Sequence, residues 1–408
     1  LLQSKTIEPL SIDFFAPDFK EHALTIYQGL RDQGAIHPIQ TPWDEPAWFI
    51  VQYDAVQIAL KDQKFLMSPQ TVAPEHDANH LPEELDYFSH HLLTTDPPEH
   101  SRLRTLVHKA FTPRMIARLQ TTVETICDQL LDEVTRSSNH TADLITQYAF
   151  PIPIIVISDM LGIPQKDRDL FREWSKAMLS VVNRPEVQKE VRPQLIALRN
   201  YLTDLFVERR NHPQEDLVSA LIEAEDNGDR LSEEELYSMI MLLVIAGHET
   251  TVNLIGNGIY ALLQHPDQLT LLKKSPSLIN STVEEILRYY SPVEMATNRW
   301  GGEAFSFEGQ TISPGDLVLI CIGSANRDKR RFTNPDQFDI TRHPNPHLAF
   351  GMGIHYCLGA PLARLEGQIA LPRLFDRLPN LQLDFKEESL PWQQDFLMRG
   401  LTHLPVHF

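Results

Sequence analysis

The chain has 408 residues, of which 42% are hydrophobic and 22% charged, and it carries a formal net charge of −19. A composition this ordinary excludes a disordered chain, and the acidic balance argues against nucleic acid as a partner. Length alone suggests two or three domains, although large single-cored helical enzymes also reach this size, and there is ample chain to bury a cofactor. Residues 1–8 hold no apolar span, and the run 150–161 is too short for a bilayer and contains Pro151, Pro153 and Asp159, so no membrane insertion is expected. Cys127, Cys321 and Cys357 are odd in number and far apart, which argues against a disulfide framework and fits a reducing cytoplasm.

In chain order, residues 20–32 read as a short helix, followed by strand-like pieces at 36–39 and 47–52 whose β-formers are Trp48, Phe49, Ile50 and Val51. Residues 54–60 read as a capped short helix. The stretch 64–95 has histidines, prolines and acids with little periodicity, which suits either a functional lid or a mobile surface loop. Asp96-Pro97-Pro98-Glu99-His100 then opens a helix, with Asp96 as cap, prolines tolerated at the start and an acid in the first turn. His100 and Arg104 stand four apart and share one face. From Pro113 to about Asn227 the period is helical, with breaks at 137–139, Pro164, 184–185 and 212–214, predicting four or five packed helices. Within it, 150–157 is apolar all round and therefore buried.

Residues 231–263 form a long predicted helix with Ser232 as cap and an acidic first turn of Glu233, Glu234 and Glu235. At its middle, Ala246-Gly247-His248-Glu249-Thr250-Thr251 interrupts an apolar run with a glycine, an acid and two hydroxyls. Glycine weakens a helix and threonine can bond back to a carbonyl one turn earlier, so a bulge or kink is expected there. Glu249 and Thr250 make an acid and hydroxyl pair able to move protons. Glu285 and Arg288 lie three apart on a helix that ends before Ser291-Pro292. Residues 293–299 and 317–322 turn strand-like. The chain then reaches Phe350-Gly351-Met352-Gly353-Ile354-His355-Tyr356-Cys357-Leu358-Gly359. Gly351, Gly353 and Gly359 allow a sharp turn and close approach to a flat macrocycle, while main-chain N–H groups and the start of the next helix favour a thiolate. Cys357 therefore reads as the thiolate ligand of a haem iron, a ligation that favours O–O cleavage.

This decapeptide, with its pattern F-x-x-G-x-H-x-C-x-G, resembles the haem-binding loop of the cytochrome P450 family, and the likeness continues into Ala360-Pro361-Leu362-Ala363-Arg364-Leu365-Glu366. The 246–251 stretch is similar to the family's A-G-x-[DE]-T oxygen-activation motif, and Glu285 with Arg288 to its E-x-x-R pair. The resemblance implies a mainly α cytochrome P450 fold, a single domain over 1–408 with a large helical body and a small β-rich lobe from pieces at about 36–52, 293–322 and 379–408. It implies haem b held by Cys357 on iron, with Ala246, Phe350 and Gly359 beside it and His100, Arg104, Arg299 and His355 on the propionates. Glu249 and Thr250 would be catalytic. Arg342 sits where the E-x-x-R partner is expected, so Glu285, Arg288 and Arg342 would be structural. Phe88, Leu242, Ile245, Val293, Met295, Ala296, Phe396 and Leu397 are expected in the substrate pocket, and Trp174, Met178, Val181 and Val182 in a roof over it. Glu294 would either select a polar group on the substrate or be satisfied within the protein.

The function so implied is a monooxygenase that hydroxylates or epoxidises an apolar small molecule, with electrons from NAD(P)H through a ferredoxin or flavodoxin and its reductase. The 246–253 and 323–328 stretches look most like members that tailor polyketides and macrolides; fatty acids, terpenes and steroids stand as alternatives, as does a haem protein that senses a ligand without turnover. A cytoplasmic monomer is expected. Basic residues in two segments, Arg102, His108, Lys109, Arg114 and Arg118, then Lys329, Arg330 and Arg331, suggest either a patch that steers an acidic electron carrier or a merely solvated face.

Overall fold

The computed structural model of the chain describes residues 9–68, 72, 91–183, 188–384 and 391–408. All of Phe88, and the side chains of Val181 and Val182, lie outside the described residues. The chain forms two compact units. One comprises Leu1–Ala78, Gln264–Cys357 and Glu387–Thr402; the other comprises Asn79–Leu263, Leu358–Lys386 and His403–Phe408.

The first unit is built on a six-stranded sheet in the order Leu10–Ser11, Ile36–Gln40, Pro46–Ile50, Leu317–Ile320, Arg299–Gly301, Phe65–Leu66. Pro46–Ile50 pairs antiparallel with Ile36–Gln40 through a short turn and parallel with Leu317–Ile320. Helix Phe19–Gln33 buries Phe19, Ala23, Tyr27 and Leu30, a 4-4-3 spacing that keeps one face on the core. Phe14, Phe19, Tyr27 and Phe49 meet there edge to face at 5.3–6.2 Å. Each such ring contributes about 2 kcal/mol by burial alone. Helix Tyr53–Ala59 forms as predicted, but no side chain caps it. The strand expected over 293–299 reduces to Arg299–Gly301, preceded by single bridges at Val293 and Met295.

The second unit is helical, with Glu99–Ala110, Pro113–Thr135, Pro151–Met160, Arg168–Asn183, Gln188–Asn211, Leu217–Glu223, Glu233–Gln264 and Ala360–Arg377 as its main rods. The predicted breaks at 137–139, Pro164 and 212–214 fall between helices, and the one at 184–185 lies outside the described residues. Asp96 is not the cap of the first helix: that position is Pro98, and Asp96 instead accepts the His100 N–H on its main-chain carbonyl. The cap on the longest helix is reciprocal, Ser232 Oγ accepting from Glu235 N–H at 3.1 Å while Glu235 Oε2 accepts from Ser232 N–H at 2.7 Å. That helix is continuous from Glu233 to Gln264 without the expected bulge. Among the described helices it is the one long and apolar enough to cross a membrane; 61% of its most apolar window is buried inside the protein, as befits a core helix. A small sheet of Gln382–Leu383, Pro405–His407 and Thr141–Asp143 completes the unit.

Candidate functional site

In the first unit, the turn leading to Cys357 is shaped by its own backbone. Gly351 and Gly353 have φ of +67° and +75°, conformations that favour glycine, and a Cβ on Gly353 would lie 3.0 Å from the Leu60 carbonyl oxygen. Gly359, by contrast, has an ordinary φ of −79°, so the turn does not depend on it. The Cys357 N–H donates to the Phe350 carbonyl at 2.9 Å, closing the loop. Its own N–H is therefore committed away from the sulfur. Burial pushes the thiols of Cys127 and Cys321 up to about 12, keeping both protonated and inert. Cys357 is the one cysteine that is not fully buried. His355 and Phe350 flank it half-buried, and Arg299 is 4% exposed. A thiol on a two-glycine turn, the buried Arg299 guanidinium and the half-buried His355 imidazole are donors suited to an iron and its carboxylates, so these residues fit haem.

Behind this loop, Glu285 and Arg288 are fully buried and paired through both guanidinium forks at 2.8 Å. Arg288 also donates to the carbonyls of Asn326, Pro335 and Gln337. Arg342 meets Glu285 at 3.1 Å and binds the carbonyls of Thr333, Asn334 and Gln337. The structure thus brings Glu285, Arg288 and Arg342 together. Two anchors were not read from the sequence. Asn326 accepts the Leu348 N–H at 2.7 Å, and His347 bridges the Ala349 N–H to Glu284.

A second buried ionic group joins Lys20, Glu294 and Arg399, exposed by 4%, 1% and 4%. Burial pushes the Glu294 carboxyl up, but Arg399 and Lys20 beside it prevail and hold it below its ordinary value. Glu294 is therefore satisfied within the protein, not offered to substrate. Lysine at position 20 carried no signal of this, because a lysine in a first helical turn is ordinarily solvated.

In the second unit, His100 is 1% exposed and Arg104 half-buried on the same helix face, with Arg104 Nε donating to His108 Nε2 at 2.9 Å. On Glu233–Gln264, residues 251–262 are all buried, whereas Ile245, Ala246, Gly247, Glu249 and Thr250 are partly exposed. The Thr250 hydroxyl donates to the Ala246 carbonyl at 2.6 Å, the back-bond anticipated from the sequence. It forms without breaking the helix. Gly247 serves close packing: a Cβ there would stand 3.2 Å from Ile157 Cδ1.

The predicted pocket residues divide. Leu242 is buried, and Ile245 and Val293 are partly exposed. Met295 and Ala296 belong to the hydrophobic core of the first unit, and Phe396 and Leu397 pack against it, Phe396 edge-on to Phe14 and Trp43. Met295 is 1% exposed and bridged to Cys321. The predicted basic patch is largely neutralised at home. Arg102 pairs with Glu99, Asp229 and Glu235, Lys109 with Asp226, Arg118 with Glu215, Lys329 with Asp32 and Arg330 with Asp328.

Comparison with known proteins agrees with this arrangement. The family profile described as Cytochrome P450 matches residues 41–274 and 271–403. A protein of Bacillus subtilis named Cytochrome P450 is 47% identical over 96% of this chain and 95% of its own. The polyketide biosynthesis cytochrome P450 PksS of the same organism is 43% identical over 98% and 99%, and its solved structure superposes with a TM-score of 0.89 over 97% of this chain and 99% of that one. The structure of P450BioI with an acyl carrier protein bearing hexadec-9Z-enoic acid is 38% identical, with a TM-score of 0.87 over 96% and 100%. With its profile matched over most of its length and relatives above 40% identity throughout, the chain belongs to the cytochrome P450 family.

Proposed function

We propose that this cytochrome P450 monooxygenase oxidises a polyketide-type secondary metabolite. The overall reaction places one atom of dioxygen in a C–H bond or alkene and releases the other as water, consuming two electrons from NAD(P)H through a redox partner, one proton from NAD(P)H and one from solvent. In this reading Cys357 ligates the haem iron, His100, Arg104, Arg299 and His355 hold the propionates, and Glu285, Arg288 and Arg342 stabilise the loop that carries the cysteine. Bound haem supplies the activation of dioxygen, which a thiolate ligand favours. The protein's own part is proton management. With its proton on the Ala246 carbonyl, Thr250 Oγ1 presents lone pairs only, so it orients a water as an acceptor. Glu249, partly exposed one residue earlier, exchanges protons with solvent. The redox partner is a ferredoxin or flavodoxin.

The observation that carries the substrate class is the 43% identity, over essentially both full chains, to a relative named for polyketide biosynthesis. A second reading, an acyl chain presented on a carrier protein, rests on the neighbouring structure of that kind. Optical titration of the purified holoenzyme separates them. Macrolactones and linear polyketides should drive the spectrum of the holoenzyme from low to high spin. A shift with fatty acyl carrier protein alone would favour the second reading, and no shift with any polyketide would remove support from the first.

A further inference from the structure

His248, in the middle of the oxygen motif, has no role in the proton path, yet it is among the most thoroughly buried polar residues of its helix, at 1% exposure. Its Nε2 lies 3.2 Å from the Phe150 carbonyl oxygen. A carbonyl only accepts, so Nε2 carries the proton and the neutral Nε2–H tautomer is fixed. The imidazole also meets the Phe150 ring edge to face, centroids 4.4 Å apart at 82°. Phe150 is the residue at which the π-helical turn Ile145–Ala149 gives way to helix Pro151–Met160. One residue before His248, Gly247 lets Ile157 of that same helix approach closely. Two adjacent residues of the motif are therefore keyed into one neighbouring helix, the first by the absence of a side chain and the second by a directed hydrogen bond.

We propose that His248 is a positioning residue: its bond to the Phe150 carbonyl fixes the rotation and height of the Glu233–Gln264 helix at the turn bearing Ala246, Glu249 and Thr250. The inference rests on the proposed proton role of Glu249 and Thr250. A packing contact alone would leave the helix free to rotate by a fraction of a residue, whereas a donor aimed at one carbonyl does not. The site stays neutral in ordinary buffers, because burial, only partly opposed by the Phe150 carbonyl, lowers the imidazole to about 4, with Lys176 adding in the same direction. Lys176 Nζ also lies over the Phe150 ring, 5.2 Å from its centroid.

The test compares His248→Phe, which keeps a ring but loses the donor, with His248→Gln, whose amide N–H reaches the same carbonyl. Both are made as holoenzyme. The first readout is amide hydrogen exchange of a peptide spanning 246–251; the second is hydrogen peroxide released per NADPH oxidised with a surrogate ferredoxin and reductase and no substrate. His248→Phe should exchange about fivefold faster, the worth of one net hydrogen bond, and release a larger share of peroxide. His248→Gln should return both values to within about twofold of the parent. Should His248→Phe fail to load haem, His248→Asn, whose amide is too short to reach, is read the same way. Unchanged exchange and peroxide without the donor, or a glutamine variant as impaired as the phenylalanine one, would overturn the proposal. Thr250→Ala is the separate control: if it leaves the peroxide share unchanged, the proton role itself fails, while the exchange measurement still decides whether His248 holds the helix.

Discussion

Arg288→Ala is the substitution whose cost the structure states most fully. The guanidinium is buried, grips both oxygens of Glu285 at 2.8 Å and donates to the carbonyls of Asn326 at 3.0 Å, Pro335 at 2.7 Å and Gln337 at 3.1 Å. Removing one member of a buried ion pair costs about 3–5 kcal/mol, because the other charge stays behind. Here Glu285 keeps Arg342, the Asp339 N–H and the Asn345 amide, which places the pair at the lower end of that range. The Gln337 carbonyl keeps its bond to Arg342, leaving two carbonyls without this donor at about 1 kcal/mol each. The sum is about 5 kcal/mol, comparable with the whole stability of many domains. Since the lost contacts hold the segment leading to Cys357, the expected result is loss of haem incorporation, not altered selectivity. The assay is haem per polypeptide by the pyridine haemochrome method, with the carbon monoxide difference spectrum and a thermal melt. Arg288→Lys, which keeps the charge but not the fork, should fall between. A fully haem-loaded Arg288→Ala protein melting within a few degrees of the parent would refute the reasoning.

Gly353→Ala should destabilise more than Gly351→Ala: both need a positive φ, worth about 1–2 kcal/mol, but only at 353 does the new Cβ stand 3.0 Å from backbone, against 3.8 Å at 351. Equal melting temperatures would count against that account. Glu366 is fully buried on Ala360–Arg377, and burial raises its carboxyl to about 8. The folded state thus keeps a proton that the unfolded chain releases above about 4.5, so wild-type stability should decline between pH 4.5 and 8 and level off above; denaturant titrations of Glu366→Gln should lack that share of the slope. For the electron carrier, Arg114→Glu and Arg331→Glu should slow reduction and weaken its salt dependence more than Lys109→Glu, whose ammonium already pairs with Asp226 at 2.8 Å. Stopped-flow reduction at two ionic strengths checks the order, and an equal or larger effect at Lys109 would reverse the assignment.

What could be read from the sequence followed from how local its causes are. The Ser232 cap, the Thr250 back-bond and the face shared by Glu285 and Arg288 are set by residues three or four apart, and each appears in the structure as spacing implies. The neutralisation of Lys109, Arg118 and Lys329 was not legible, because their acids, Asp226, Glu215 and Asp32, lie far along the chain. Strand Thr141–Asp143 was missed for a related reason. Three residues have almost no pattern of their own, and this strand exists by pairing with Pro405–His407. The absent bulge at Gly247 shows tertiary packing overriding propensity: Ile157 Cδ1 packs 3.2 Å from where a Cβ on the glycine would stand.

The same distinction explains why two arginines appear so deep in the first unit. From Asn326 to Met352 the chain forms neither helix nor strand, yet Phe332, Phe338, Ile340 and Leu348 within it are buried. A buried segment without a backbone ladder must find other donors for its carbonyls. Arg288 and Arg342 provide them, five carbonyls between residues 326 and 337 being reached by two guanidinium groups that share Glu285 as counterion. Lysine would not serve, since its ammonium is a compact point charge without the planar fork. A regular element here would satisfy its own carbonyls but would also set the path of the chain by its own period. Side-chain donors free the backbone to follow an irregular course into the Gly351 and Gly353 turn, and the desolvation cost of a buried ion pair is what that freedom requires.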